Sequence, residues 1–598
     1  MAEATTPDHA APDGATAPDP TDPWWRRAVI YQIWPRSFAD SDGDGVGDIA
    51  GIVSKLDHLE ALGVDAVWIS PMSPSPQDDA GYDISDYRGI GPLFGTLDDL
   101  DGLVEALHDR GMRLIMDLVV NHTSDEHAWF EASRSSRDDP QRDWYWWRPP
   151  RDGMTGGEPG AEPNNWGSVF GGSAWRWDEA TGEYVLHLFS TKQPDLNWEQ
   201  PAVRDAVHEM MRWWLERGID GFRMDVVNFI SKDPELPDGH VRAGSRFGDA
   251  LPHVIDGPRI HEFLAEMRRA TSGAGGDRTL VWVGEMPGVT VDEAVRYTDP
   301  ANGEVDLVFQ FEHMGVDHGE RGRFDVRPLR LVDLKASMNR WQVGLADVGW
   351  NSLYWCNHDQ PRVVSRFGDD GEHRVRSAKL WATVLHLHRG TPFVYQGEEL
   401  GMTNYPFTSL DEVRDVEARN HVADALDAGT SVDDVLAELR AGSRDNARTP
   451  VQWDASDGAG FTTGEPWIPI NPNRTEINAA DQRADPDSVF HHVRRLIELR
   501  HELDVLVDGD VELLLADDER IYALARTLGD DRLLLLANAS GEEAAVDVAD
   551  LGDWSDVIAS DAVDDVELLL ANVADAAPLA PGLVLAPWEA RVHRLHPT

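Results

Sequence analysis

Four apolar runs in this chain end in groups that can carry charge or move protons. They close as Asp117-Leu-Val-Val-Asn121-His122, Gly221-Phe-Arg223-Met-Asp225, Val283-Gly-Glu285 and Asn357-His358-Asp359. A pair of carboxyls, one ionised and one protonated, can divide nucleophilic and acid/base work between them. Arg223 lies two residues before Asp225, so on an extended strand both side chains leave the same face, and the guanidinium should keep that carboxylate ionised. Asp225, Glu285 and Asp359, with Arg223, His122 and His358 beside them, therefore form a candidate reaction centre. Ordinary barrel-end salt bridges do not call for three converging carboxylates.

Such a centre needs strands that all deliver their ends to one place. Short apolar runs alternate with helix-compatible segments at Val29–Trp34, Ala66–Ser70, Leu114–Val119, Gly221–Asp225, Leu280–Glu285, Asp306–Phe311, Ser352–Cys356 and Phe393–Gln396. Eight buried-type strands separated by helices predict an α/β fold, a (β/α)8 TIM barrel, in which functional residues gather at the C-terminal strand ends. Val203, Ala206, Val207, Met210, Met211, Trp214 and Leu215 share one helical face, which stops at Arg217-Gly218. A further helix is expected from Asp487, read as its N-cap, to about Glu502.

The expected organisation is a solvated tail over 1–22 and a barrel over 23–122 and 191–504. A Trp-, Gly- and Pro-rich subdomain, 123–190, is inserted after strand three, and a second insertion, about 403–465, follows strand eight. Residues 505–598 carry the runs Val511–Leu515, Ile521–Ala525, Arg532–Ala537, Val566–Leu570 and Leu583–Ala586, which predict a C-terminal antiparallel β domain. The tryptophans at 144–177 are read as the core of their insertion, and His386, His388 and Cys356 as packed side chains.

Over 598 residues the chain holds 107 acidic and 53 basic side chains, a net charge of −54, and only five lysines (55, 192, 232, 335 and 379). That charge repels nucleic-acid phosphates and anionic lipid, and no apolar run is long enough to cross a membrane. An acidic, lysine-poor surface suits molar salt, where the Debye length falls to about 3 Å. One cysteine, Cys356, excludes an internal disulfide and cysteine-based zinc sites. No basic start or apolar stretch marks the tail as a secretion signal, so a cytoplasmic protein is expected, as monomer or homodimer.

Together the four strand-end segments, with Gln193-Pro-Asp195-Leu-Asn197, resemble the signature regions of the α-amylase superfamily, glycoside hydrolase family 13, over roughly residues 24–598. The resemblance implies a retaining mechanism with Asp225 as nucleophile, Glu285 as proton donor and Asp359 as transition-state stabiliser. It makes His122 and His358 partners of sugar hydroxyls and puts Gln193 and Phe170 beside the substrate. Gly81-Tyr82-Asp83 resembles the stretch of exo-acting α-glucosidases in which Tyr stacks on the sugar and Asp caps its non-reducing end, with an arginine partner expected at Arg444 or, preferably, Arg448. Val226 after the nucleophile and Met286-Pro-Gly after the acid resemble the oligo-1,6-glucosidase branch, whose substrates are short oligosaccharides. The same triad occurs in sucrose isomerases, trehalose synthases and glucosyl transferases, and non-catalytic binding relatives also exist.

Asp40-Ser-Asp42-Gly-Asp44-Gly-Val46-Gly-Asp48 alternates oxygen donors with turn-forming glycines, as a calcium loop does. It follows a strand and has Gly51 where an EF-hand has glutamate. The same glucosidase branch carries a Ca²⁺- or Mg²⁺-binding loop here. Expected ligands are Asp40, Asp42, Asp44, Asp48 and the carbonyl of Val46.

Overall fold

Strands buried on both faces cannot alternate polar with apolar residues, and these do not: Ile30-Tyr-Gln-Ile33 and Ala66-Val-Trp-Ile69 are buried at every position. In the computed structural model, which describes residues 23–242, 245–559 and 566–595, eight such strands form one parallel sheet. They are β1 (Ile30–Ile33), β2 (Ala66–Ile69), β3 (Arg113–Val119), β4 (Gly221–Asp225), β5 (Val281–Glu285), β6 (Leu307–Phe309), β7 (Ser352–Leu353) and β8 (Thr391–Tyr395). Neighbours follow chain order, β8 pairs with β1, and a parallel bridge from Val308 to Asn351 closes β6 onto β7. The result is the expected (β/α)8 barrel. The tail expected over 1–22 lies outside the described residues.

The helix with the clearest apolar face runs Pro201–Glu216, starts on a proline at its first turn and ends before Gly218, whose φ of 117° suits glycine. The helix expected from Asp487 is Val489–Glu502, capped one residue later by Ser488, whose side chain accepts the N–H of His491.

The insertion after β3 folds around a three-stranded antiparallel sheet, Trp147–Arg148, Glu183–Leu186 and Trp175–Asp178. Trp146, Trp166 and Trp175 are its core, and that core continues into Val226 and Phe229 just beyond β4. The subdomain is thus packed directly on the strand that carries Asp225. Lys232 ties together the chain on either side of the insertion: its fully buried ammonium meets Asp195 (2.9 Å), Asn121 (2.9 Å) and the carbonyl of Phe229 (2.8 Å). The insertion after β8 contributes the helices Val416–Asp427 and Val432–Gly442, the latter capped by Ser431, and then the short turn Asp445–Arg448.

The C-terminal domain is a five-stranded antiparallel sheet of β9 (Asp510–Leu514), β10 (Ile521–Leu528), β11 (Asp531–Asn538), β12 (Val566–Ala571) and β13 (Ala590–Leu595), in the order β9-β10-β11-β13-β12. β13 is absent from the sequence reading. Its Arg591 and His593 look like solvent-facing positions but are buried at 2% and 3% exposure, Arg591 against Glu589.

Buried cations tie the base of the barrel together (Arg500) and join it to this domain (Arg526 and Lys335). Arg500 donates to the carbonyls of Arg27 (3.1 Å), Arg26 (2.5 Å) and Gly390 (2.6 Å), which precede β1 and β8. Arg526 on β10 donates to Leu387 (2.9 Å), Leu506 (3.0 Å) and Gly509 (2.8 Å), and Lys335 to Leu515 (2.6 Å), Asp518 (2.6 Å) and Ile521 (3.1 Å). Three of the five lysines, 232, 335 and 379, are buried, while Lys55 lies over Trp453 and Lys192 pairs with Asp125 and Glu126. His386 and His388 are packed, and Cys356 is buried and free. Among the described residues no helix is long and apolar enough to cross a membrane.

Candidate active site

Every barrel strand ends at the same rim, and there the chain places its polar groups around a cavity of about 460 Å³. Arg223, 1% exposed, organises its floor. One guanidinium nitrogen donates to Asp117 (2.7 Å) and Asp225 (2.8 Å), and the other pairs with Glu285. Two carboxyls that belong to different strands are therefore held by one cation, with Asp225 and Glu285 both lining the cavity. Burial pushes Asp225 well above the usual carboxylate range and the neighbouring Glu285 charge adds to it, against the pull of Arg223. The expectation that Arg223 alone holds Asp225 in the ordinary carboxylate range is not met, because desolvation at this buried end of β4 outweighs the guanidinium.

Asp359 has the opposite character. Burial opposes its ionisation, but His358, Arg444, Arg448 and Arg323 outweigh burial and hold the carboxyl well below its ordinary range. Burial also lowers His358 to about 3, so near neutrality that ring is uncharged and the guanidiniums carry the effect. The His358 ring is nearly parallel to those of Trp34 and Tyr82, with centroids 5.1 and 5.2 Å away, and its Nε2 is 3.2 Å from Asp359. Tyr82 lines the cavity and donates its hydroxyl to Asp117 (3.0 Å).

Seven of the residues expected at the site line the cavity: Tyr82, His122, Phe170, Asp225, Val226, Glu285 and Asp359. Arg223, His358 and Gln193 stand immediately behind it. Gln193 is fully buried and links Asp79 (3.1 Å) to the His122 ring (3.1 Å). Burial holds His122 down at about 4, leaving it a neutral hydrogen-bonding ring.

Two further expectations are corrected. Asp83 does not face the cavity. Its buried carboxylate takes the hydroxyl of Ser75 (2.8 Å) and the N–H groups of Asp78 (2.8 Å) and Asp79 (3.2 Å), and Asp79 lines the cavity in its place. Left-handed backbone at Gln77, Ala80 and Gly81 (φ 67°, 50° and 109°) turns the loop and exchanges the two aspartates, which residue types alone do not reveal. The arginine that faces the cavity is likewise Arg444 rather than Arg448. Arg444 lines the cavity, meets Asp79 (3.2 Å), and lies 5.0 Å over the ring of Phe170. Arg448 sits behind Asp359, donating to its carboxylate (2.8 Å) and to the carbonyl of His358 (3.0 Å). Burial raises Asp79 to about 7 despite Arg444 and Arg448.

Asp117 and Asp415 were not singled out. Asp117 had a signal: it is a lone acid inside an otherwise apolar strand, on the same face as Val119 and directly opposite Arg223 of β4. Asp415, which receives both Arg444 (2.8 Å) and Arg448 (3.2 Å), lies in an insertion whose course no local pattern fixes.

In the loop after β1, single carboxylate oxygens of Asp40, Asp42 and Asp48 lie within 4.8 Å of one another. Asp44 is not in that group; it accepts the N–H of Val46 (2.8 Å). Asp48 also caps the helix Ile49–Ser54 through the N–H of Gly51 (2.6 Å), and Asp40 takes the N–H groups of Gly43 (2.7 Å) and Gly45 (2.9 Å).

Comparison with known proteins agrees with this geometry. Residues 32–509 match the family model for the alpha amylase catalytic domain. An oligo-1,6-glucosidase of Parageobacillus thermoglucosidasius is 52% identical over 96% of this chain and 99% of its own length. A trehalose-6-phosphate hydrolase of Bacillus subtilis is 47% identical over 96% of this chain and 98% of its own. Among solved structures, a trehalose-6-phosphate hydrolase variant of Bacillus licheniformis superposes with a TM-score of 0.89 at 44% identity, covering 96% of this chain and all of that one. With a barrel closed in chain order, a carboxyl pair on β4 and β5 held by one arginine, a third carboxylate beyond β7, and relatives that match along nearly the whole sequence, the chain belongs to the alpha-amylase family of glycoside hydrolases.

Proposed function

We propose that this enzyme is an exo-acting, retaining α-glucosidase that removes single glucose units from the non-reducing ends of short α-glucosides, with α-1,6 links preferred. One observation carries the reading: a single guanidinium, that of Arg223, touches the carboxyls of Asp225 and Glu285 in a cavity that also presents the Asp79–Arg444 pair. Asp225 attacks the anomeric carbon while Glu285 gives its proton to the departing glycosidic oxygen, leaving a glucosyl ester on Asp225. Water, deprotonated by Glu285, then attacks the same carbon from the opposite side and frees Asp225, so two inversions return the α-anomer. Asp359, held ionised, stabilises the positive charge that develops on the sugar ring. Tyr82 is the stacking face for that ring. Asp79 and Arg444 cap its far hydroxyls, which confines attack to a terminal unit. The oligo-1,6-glucosidase relatives and the apolar Val226 support the α-1,6 preference.

Proton NMR of fresh digests of isomaltose, maltose and sucrose tests this directly. α-Glucose should appear first, and fastest from isomaltose. β-Glucose would exclude retention, and rearranged disaccharides in place of glucose would identify a transglycosylating enzyme instead.

We further infer that the loop after β1 holds Ca²⁺ (or Mg²⁺) through Asp40, Asp42 and Asp48. Its role would be structural, since none of these residues lines the cavity. The net charge of −54 supports life in high salt. The melting temperature should rise between about 0.1 and 1 M NaCl, as the Debye length shrinks from roughly 10 to 3 Å, and millimolar Ca²⁺ should raise it at low salt in the parent but not in Asp42→Ala. The single cysteine, which permits no internal disulfide, supports a cytoplasmic setting.

A further inference from the structure

Val226 has a feature its side chain does not explain. Its backbone is left-handed, with φ 36° and ψ 40°, a conformation that a β-branched residue adopts only under strain. The strain is imposed from both sides. Asp225 ends β4, and the carbonyl of Val226 accepts the N–H of Phe229 (2.9 Å) to open the next turn. The side chain is buried at 8% exposure in the apolar core of the inserted subdomain, beside Phe229 and Val254. In this conformation the N–H of Val226 points across to β5 and donates to Glu285 Oε2 at 3.1 Å.

We propose that Val226 is a positioning residue for the proton donor, acting through its main-chain amide. This deepens the proposed mechanism and rests on Glu285 being the acid. Two donors hold Glu285 when it is ionised: the amide on Oε2 and Arg223 on Oε1. Protonation of Oε1 removes the negative charge that Arg223 holds, so the ion pair weakens and the new O–H turns towards the cavity and the glycosidic oxygen. The amide keeps Oε2 throughout. It is thus the fixed point about which Glu285 alternates between giving a proton and taking one. The inserted subdomain, by clamping the valine side chain, holds the amide in place.

The inference separates backbone from side chain. Val226→Gly keeps the N–H and is at ease with positive φ, so the fold should be retained or gain stability, but the clamp is lost and the amide can wander. Its kcat should fall at least tenfold on isomaltose, whose leaving group needs the proton, and less than threefold on 2,4-dinitrophenyl α-glucoside, whose leaving group does not. Loosening a donor that favours the ionised carboxyl should also move the alkaline limb of the isomaltose pH profile to higher pH. Val226→Ile, which keeps the clamp, should keep the parent's ratio between the two substrates and its alkaline limb. Equal losses on both substrates in Val226→Gly, with an unmoved limb, would overturn the proposal and leave Val226 a wall of the cavity. Glu285→Gln is the control for the underlying assignment: if it too failed to separate the two leaving groups, the acid itself would be misassigned, an outcome distinct from failure of the amide's role.

Discussion

Two regions of the molecule bury charge and partner it differently. At the C-terminal end of the barrel acids are buried together with arginines. Asp79, Asp117, Asp225 and Asp359 share the guanidiniums of Arg223, Arg444 and Arg448, and burial lifts Asp79 to about 7 and Asp117 to about 6. Below that rim, in and beside the seam with the C-terminal domain, the buried groups are bases. Arg500, Arg526 and Lys335 are bonded to backbone carbonyls, and burial lowers them to about 9, 9 and 8. A carbonyl neither titrates nor moves, so the lower region behaves as a fixed joint. A carboxylate partner can change its proton count, so the upper region can do chemistry. The same desolvation that strains both regions is useful at only one of them.

Breaking each region should therefore give opposite phenotypes. Asp225→Asn should lower kcat on isomaltose by 10⁴-fold or more, about 5.5 kcal/mol, while the melting temperature holds or rises because a buried negative charge has gone. Substantial turnover in that variant would remove the nucleophile from the mechanism. Arg500→Met should do the reverse. Three carbonyls lose their donor, stability should drop by about 3 kcal/mol, and kcat per folded molecule should be unchanged. A denaturant titration alongside active-site titration separates the two effects.

A pH series sharpens the contrast. Asp79 and Asp117 bind protons more tightly folded than unfolded, where 3.8 applies. Their contribution to stability is complete below that value and is lost as pH rises through about 6 to 7. Lys335, lowered from 10.5 to about 8, works the other way: its contribution is present above 10.5 and is lost as pH falls through about 8. Asp79 should thus contribute more at pH 5.5 than at 7.5, while buried histidines such as His122 and His358 oppose it in both proteins, so the melting-temperature gap between the parent and Asp79→Asn should widen as pH drops. A gap that does not change with pH would mean that Asp79 is not the group that titrates. The smallest effect is expected at Val226→Thr, which should shift the isomaltose-to-maltose ratio of kcat/KM towards maltose by about tenfold, some 1.4 kcal/mol.

The sequence revealed the barrel and the reacting trio because both rest on short-range pattern. β4 and β5 were located to within a residue, and each carries its carboxylate as its last residue. What stayed hidden depends on how loops double back. Asp79 and Asp83 are the same residue type four positions apart, and only the run of left-handed φ angles between them decides which one meets the cavity. Arg444 and Arg448 are separated by one helical turn and both reach Asp359, so choosing between them requires the cavity itself. β13 was missed for a different reason: its buried arginine and histidine alternate with small and aliphatic residues, the pattern of a solvent-facing strand.

The siting of the lysines has a practical consequence for anyone who wishes to tether this enzyme. Amine-reactive supports and dyes need an accessible, uncommitted side-chain ammonium. Of the five lysines three are enclosed, Lys55 lies against an indole, and Lys192 is half-buried in its ion pairs. Lys192 immediately precedes Gln193, behind the catalytic cavity. Amine coupling would thus find few anchor points, one of them close to the reacting groups, whereas carbodiimide coupling through 107 carboxyls would scatter attachment over the surface. A single lysine introduced on the exposed face of the C-terminal sheet would give one defined attachment far from the sugar.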